Sequence, residues 1–175
     1  MGWKTMPDTV QETAFDRLIK EGKAYQFSRE FEIPAESIVW VYIQTSPNAD
    51  VLLNSRNIAA TAGPVRYKVY PQTPLVGPLG NSYVIERLNF KQPKESETQI
   101  NDVLATSIDI SGIAPTDEKL VVATQNAGNR GSGNSAFQNF FKVYPANVSI
   151  AVSLSNAATI TSYVELQYIW AEDVE

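Results

Sequence analysis

Histidine and cysteine are both absent from the 175 residues of this chain. Without cysteine there is no disulfide framework, no thiol nucleophile and no thiolate metal site. Without histidine the chain lacks the side chain that most often serves as general base near neutral pH, so His-based triads and Cys/His zinc sites are excluded. Basic residues are the minority charge, 14 Lys and Arg against 19 Asp and Glu, for a net charge of -5. Nucleic-acid binders draw affinity from cations that neutralise phosphates, so DNA and RNA are not expected partners. Long hydrophobic runs are missing as well, since no stretch approaches the ~20 apolar residues that span a bilayer. The start of the chain, Met1 to Leu18, has no basic region followed by an apolar one. The expectation is a soluble protein with no membrane partner, made without Sec export. Gly2 follows Met1, but Met6 stands where the myristoylation pattern requires Ser or Thr.

What is present is a chain of single-domain length with 43% hydrophobic residues, enough to bury a core. Thr9-Val10-Gln11-Glu12 has capping-box form, and Val10, Ala14 and Leu18 recur at helical spacing before Gly22, predicting a short amphipathic helix from about Thr9 to Lys20. Beyond Gly22 the period becomes that of strands. Tyr25 and Phe27, then Phe31 and Ile33, alternate with polar neighbours up to Pro34, and Ser37 to Ile43 is a dense β-branched and aromatic run. Further strands are expected over Val51–Ser55, Val65–Tyr70, Tyr83–Phe90, Leu120–Thr124, Phe137–Tyr144, Val148–Leu154 and Tyr163–Trp170, with turn formers such as Ala62-Gly63-Pro64 and Gly77-Pro78 between them. Many short strands and one helix predict an all-β antiparallel sandwich: an N-terminal arm over residues 1–21 and a single β-sandwich domain over 22–175. The connector Gln92 to Thr98 has no apolar residue and reads as a solvated loop. Lys68-Val69-Tyr70-Pro71 recurs as Lys142-Val143-Tyr144-Pro145, but the flanks do not align and the recurrence is read as chance.

Little in the sequence carries chemistry. Asp50, Glu86, Asp102, Asp109, Asp117 and Glu118 are the carboxylates available for acid/base work, yet they sit at turns and strand ends, where a solvated role is ordinary. Glu172-Asp173-Val174-Glu175 reads as a solubilising tail. No calcium-loop pattern appears, and no metal or other cofactor is expected. Gly128 to Asn134 is rich in glycine, but a phosphate cradle needs a following helix, and Phe137 onward reads as a strand. It is therefore taken as an inter-strand loop. Asn147-Val148-Ser149 matches a glycosylation sequon with no export signal to make it meaningful.

Several segments resemble a known family. Glu21 to Ser28, followed by a strand closing on Ile43-Gln44-Thr45, resembles the opening of small tailed-phage virion proteins, the jelly-roll-like head decoration proteins. At the far end, Val148 to Val152, then Ser155-Asn156-Ala157-Ala158 leading into Val164 to Glu172, looks like that family's closing hairpin, with its Asn-containing turn and its aromatic and acidic finish. Tyr67 to Tyr70 before Gly77-Pro78 is similar to a middle strand of the family, although the family's Glu is missing and the Gly-Pro lies farther downstream. The family's Asn-Arg stretch has its nearest counterpart far along the chain, at Asn126 to Arg130.

The resemblance covers roughly Glu21 to Glu172, and its motifs are structural. It implies a jelly-roll-like sandwich and a non-enzymatic virion protein that decorates or stabilises the capsid by binding the major capsid protein or another virion protein. Such a protein would be a homo-oligomer, with a trimer as one option. It would be made in the host cytoplasm and end on the phage particle. The docking arm would carry Trp3, Met6, Phe15 and Leu18, because apolar residues outside a sandwich need a surface to bury against. Asn129 and Arg130 are candidate loop contacts. The alternative is a carbohydrate-binding module of a phage fibre or host-recognition protein, using exposed aromatic faces such as Trp40 and Trp170. A small carboxylate hydrolase is the third reading.

Overall fold

The computed structural model describes residues 14–89, 91, 94–122 and 138–173. One helix, α1 (Ala14–Lys20), precedes eleven strands: β1 (Ala24–Ile33), β2 (Ile38–Gln44), β3 (Asp50–Ala60), β4 (Val65–Pro71), β5 (Leu79–Ser82), β6 (Glu86–Arg87), β7 (Gln99–Val103), β8 (Asp117–Val121), β9 (Gln138–Tyr144), β10 (Ser149–Asn156) and β11 (Ser162–Asp173). They form two antiparallel sheets, ordered β6-β1-β11-β3-β9 and β5-β7-β2-β10-β4-β8.

The pairing is nested. β1 pairs with β11, β2 with β10, β3 with β9 and β4 with β8, so the chain behaves as one long hairpin whose arms are wrapped into two sheets. Successive strands from β1 to β4 alternate between the sheets, as do those from β8 to β11. Closing the wrap brings β11 beside β3 and β10 beside β4, which makes the eight strands a jelly roll. The all-β antiparallel sandwich with a short N-terminal helix read from the sequence is the fold of the molecule.

Period-2 alternation explains which residues meet in the middle. Tyr25, Phe27, Phe31 and Ile33 of β1 and Val164, Leu166, Tyr168 and Trp170 of β11 turn inward against Val41 of β2, Val65, Tyr67 and Val69 of β4, and Ile150, Val152 and Leu154 of β10. Helix α1 ends where Gly22 adopts a left-handed φ of 72°, and Gly22 and Lys23 donate their N–H groups to Ile19 and Leu18. Its residues Leu18, Phe15 and Ile19 pack with Ala24, Ala171 and Leu52 on the outer face of the first sheet.

The 72–116 region between β4 and β8 is an insertion into the eight-strand frame. It adds β5 and β7 beside β2 and the short β6 beside β1. On its way it covers the outer face of the second sheet, where Ile108, Val103, Leu79 and Ile110 bury Tyr42, Trp40, Tyr70 and Ala151. This coverage explains why β10 is buried at five consecutive positions. Glycine is required where the insertion lies on itself, since a Cβ on Gly77 would come within 2.8 Å of Ser107 and one on Gly80 within 2.7 Å of Asp102.

The insertion also corrects two readings. Tyr83–Phe90 is not a continuous strand: Tyr83 donates to Ile100 in the second sheet, whereas Glu86 and Arg87 pair with Gln26 and Tyr25 in the first and Leu88 donates to Ala24. A segment that crosses between sheets cannot stay in one ladder. The Gln92–Thr98 connector is not simply solvated, because Thr98 is buried and its hydroxyl accepts the Ser46 N–H at 3.2 Å. Strand β7, which follows, had no distinct signal in Gln-Ile-Asn-Asp-Val.

Candidate functional site

Two buried charges organise the polar interior. Arg56 on β3 is only 1% exposed and is among the largest fully buried side chains. Its guanidinium Nη1 donates to Asp117 on β8, in the opposite sheet, and stacks 4.6 Å from the centre of the Tyr67 ring. The Tyr67 hydroxyl is in turn 2.7 Å from that of Tyr168. Burial works against the Arg56 charge, but Tyr67 and Asp117 outweigh it and hold the guanidinium above its ordinary value. Burial pushes the Tyr67 phenol up to about 12, and Tyr168 and Tyr144 rise for the same reason, desolvation. These phenols remain protonated at neutral pH, and the cluster is a structural tie between sheets.

The second buried charge is Glu172, 1% exposed. Its reading as part of a solubilising tail is overturned. β11 runs on to Asp173 beside β3, and the pleat that turns Tyr168 and Trp170 inward turns Glu172 inward as well. The carboxylate accepts hydrogen bonds from Ser96 Oγ, from the Glu97 N–H at 3.1 Å, from the Thr98 N–H at 3.2 Å and from Trp170 Nε1 at 3.3 Å. Beside it the Tyr25 hydroxyl lies within 3.4 Å of the Gly22, Lys94 and Glu95 carbonyls. Burial, followed by the charges of Glu172 and Glu97, pushes this phenol up to about 12.

The remaining carboxylates are scattered and locally engaged. Asp50 accepts the Ala146 N–H, Glu86 accepts Gln26, Asp109 accepts Ser111, and Glu118 faces Lys68 at 3.5 Å. Asp102 packs under Gly80. Among the described residues no three carboxylates come together in a way that could hold a metal ion. A void of about 40 Å³ between the sheets, walled by side chains such as Leu53, Val69, Ile150 and Val152, has room for no more than a few waters.

The candidate interaction residues fall in different places. Leu18 is 2% exposed and Phe15 partly buried, both against the molecule's own sandwich, so the apolar stripe of α1 has a partner within the domain and Leu18 is not available for docking. Trp3, Met6, Asn129 and Arg130 lie outside the described residues. Neither tryptophan singled out as a sugar platform presents an open face: Trp170 is 3% exposed in the core, and Trp40 is half-buried against Tyr70, ring centres 5.7 Å apart, beneath the insertion.

Exposed apolar residues that sequence reading missed lie at the end of the sandwich where β1 turns into β2 and β10 into β11. Ile38, Ile160 and Tyr163 are exposed there, Ile160 at 62%. The loops beneath them are tied together. Asn156 Nδ2 donates to the carbonyls of Ile33, Pro34 and Ile160, its Oδ1 accepts the Ala158 N–H, and its own N–H reaches Ser37. Ser162 donates its hydroxyl to the Ala62 carbonyl at 2.6 Å, and Tyr163 and Thr61 exchange hydrogen bonds. The signal that could have located this end was Asn156 inside an Asn-containing turn. The chain matches no protein-family model, no curated protein and no solved structure. Fold and site together define a jelly-roll β-sandwich with a rigid, partly apolar end. Among the described residues no helix is long and apolar enough to cross a membrane.

Proposed function

We propose that this chain is a non-enzymatic structural protein of a phage virion, a decoration or stabilising protein that binds the capsid surface as a homo-oligomer. The observation that carries the reading is the stitched end of the sandwich. It presents Ile160, on the β10–β11 connection, and Ile38 and Tyr163, at the adjoining ends of β2 and β11, to solvent over loops that are already held in place, so little ordering entropy remains to be lost on docking. Exposed apolar residues on a rigid frame are what a protein surface recognises. The segments that resemble decoration proteins support the same reading, because they coincide with the end of α1 and the start of β1, the close of β2, and β10 with β11, the elements that build the centre of both sheets, although β10 and β11 lie in different sheets and form no hairpin.

The test is copurification with phage particles. The chain is expected to sediment with intact particles, and an Ile38→Asp, Ile160→Asp double variant is expected to lose most of its occupancy while keeping its β-sheet circular dichroism. Absence of the unaltered protein from particles would overturn the role, and unchanged occupancy of the double variant would overturn the docking surface.

A further inference from the structure

We propose that two copies of this chain meet across a two-fold axis through the outer surface of the insertion, where residues 74–78 lie against 103–108. The contact specifies the homo-oligomer of the reading above and rests on that part of it alone, whatever the oligomer binds.

The insertion is apolar on both of its sides. On the inner side Ile108, Val103, Leu79 and Ile110 cover Tyr42, Trp40, Tyr70 and Ala151 of the second sheet. On the outer side Pro74, Leu75, Val76, Pro78, Leu104 and Ala105 are exposed, Val76 at 62% and Leu104 at 69%. Apolar residues gathered at one surface mark a protein contact. The backbone beneath them is held in place. Leu75 bridges Ile108, and the Val76 and Gly77 N–H groups both donate to the Ser107 carbonyl, at 2.8 and 3.1 Å. The Asp109 N–H reaches the Pro74 carbonyl and the Ser107 N–H that of Leu104, so little order remains to be lost when the surface is covered.

Charge selects the occupant. The chain carries a net charge of -5, which keeps copies apart wherever carboxylates face carboxylates. Pro71 to Ile85 and Val103 to Ile108 contain no charged residue, and the flanking Asp109 is engaged by the N–H and hydroxyl of Ser111. In a two-fold contact the same surface is presented by both copies, and an uncharged apolar surface is complementary to itself. The apolar end of the sandwich lacks this property. Glu32 is exposed there opposite Tyr163, and Glu36 is exposed on the loop whose N–H reaches Ala158, so a second copy at that end would set like charges against each other. The end is left for a different partner, and the insertion takes a second copy of the chain.

The test is sedimentation velocity of the full chain over a range of micromolar concentrations, with no particles present. A dimer is expected. Val76→Asp and Leu104→Asp are each expected to raise its dissociation constant about tenfold or more, because each places a carboxylate on both sides of the axis. Both side chains face solvent, so circular dichroism is expected to be unchanged. Leu120→Asp, also exposed but on β8, and Ile160→Asp, at the docking end, are expected to leave the dimer intact. A chain that is monomeric or trimeric throughout, a dimer that survives both Val76→Asp and Leu104→Asp, or one that is lost in Ile160→Asp would overturn the proposal. Absence of an intact dimer from phage particles would overturn the virion role alone, so the two readings fail separately.

Discussion

Arg56 and Glu172 are both about 1% exposed, and the fold offsets their burial in opposite ways. Arg56 sits between the sheets and is matched by an opposite charge, Asp117, with an aromatic ring against it. Glu172 sits at the end of β11 and, among the described residues, is held by dipoles: two backbone N–H groups, a hydroxyl and an indole N–H converge on it. A buried ion pair concentrates its compensation in one partner, whereas a carboxylate held by dipoles spreads it over a loop. The first arrangement ties sheet to sheet. The second ties the 94–98 segment of the insertion to the end of the jelly roll.

The comparison can be broken most forcefully at Asp117. Asp117→Ala removes the carboxylate that faces the buried Arg56 charge and is expected to cost about 3–5 kcal/mol in urea unfolding. Arg56→Met should cost less, because the Asp117 side chain is 19% exposed and can turn to water. Equal losses in the two variants would show that Arg56 is not the member trapped by burial. Next in size is Glu172→Gln, which keeps the shape and removes the charge, at about 1–3 kcal/mol. Here the sharper measurement is hydrogen exchange, with the amides of Glu97 and Thr98 expected to lose protection before those of β11. Uniform loss across the sandwich would contradict a loop-specific anchor.

The smallest effect is expected from Tyr67→Phe, about 1 kcal/mol at neutral pH, from loss of the hydroxyl pair with Tyr168. Its pH dependence has a definite sign. The unfolded phenol ionises at its ordinary value of 10 and the folded one only at about 12, so the stabilisation is complete below pH 10 and is lost as pH rises through 12. Unfolding titrations between these limits should show a shallower alkaline decline for Tyr67→Phe than for the unaltered chain. An identical slope would remove Tyr67 from the account of alkaline stability.

Strands with alternation or a dense β-branched and aromatic run were legible because buried residues of that kind announce themselves locally. Ser37 to Ile43 anticipates β2, Val148 to Leu154 anticipates β10, and Tyr25, Phe27, Phe31 and Ile33 mark one continuous β1. Where partners rather than periodicity make the strand, reading failed. β8 begins at Asp117, three residues before the expected start, because Lys68 and Val69 of β4 pair with Glu118 and Asp117 and supply a ladder that acidic residues would not seek alone. β7 exists because β2 has a free edge for it. The candidate surface was less legible still. Leu18 and Phe15 have the composition of a docking arm, and only the position of Ala24, Ala171 and Leu52 shows that the sandwich itself covers them.

By itself the sequence determined the exclusions, since a chain with no histidine and no cysteine cannot use their chemistry, and it determined the all-β class, because alternation is a property of neighbours along the chain. The tertiary structure alone decided which charges are buried and which apolar residues remain outside. Compensation for a buried charge comes from groups far away in sequence: the donors to Glu172 in the 96–98 segment are separated from it by 74 to 76 residues, and Arg56 meets Asp117 across 61. No local pattern encodes those meetings; they follow from the nested pairing that rolls the chain into two sheets.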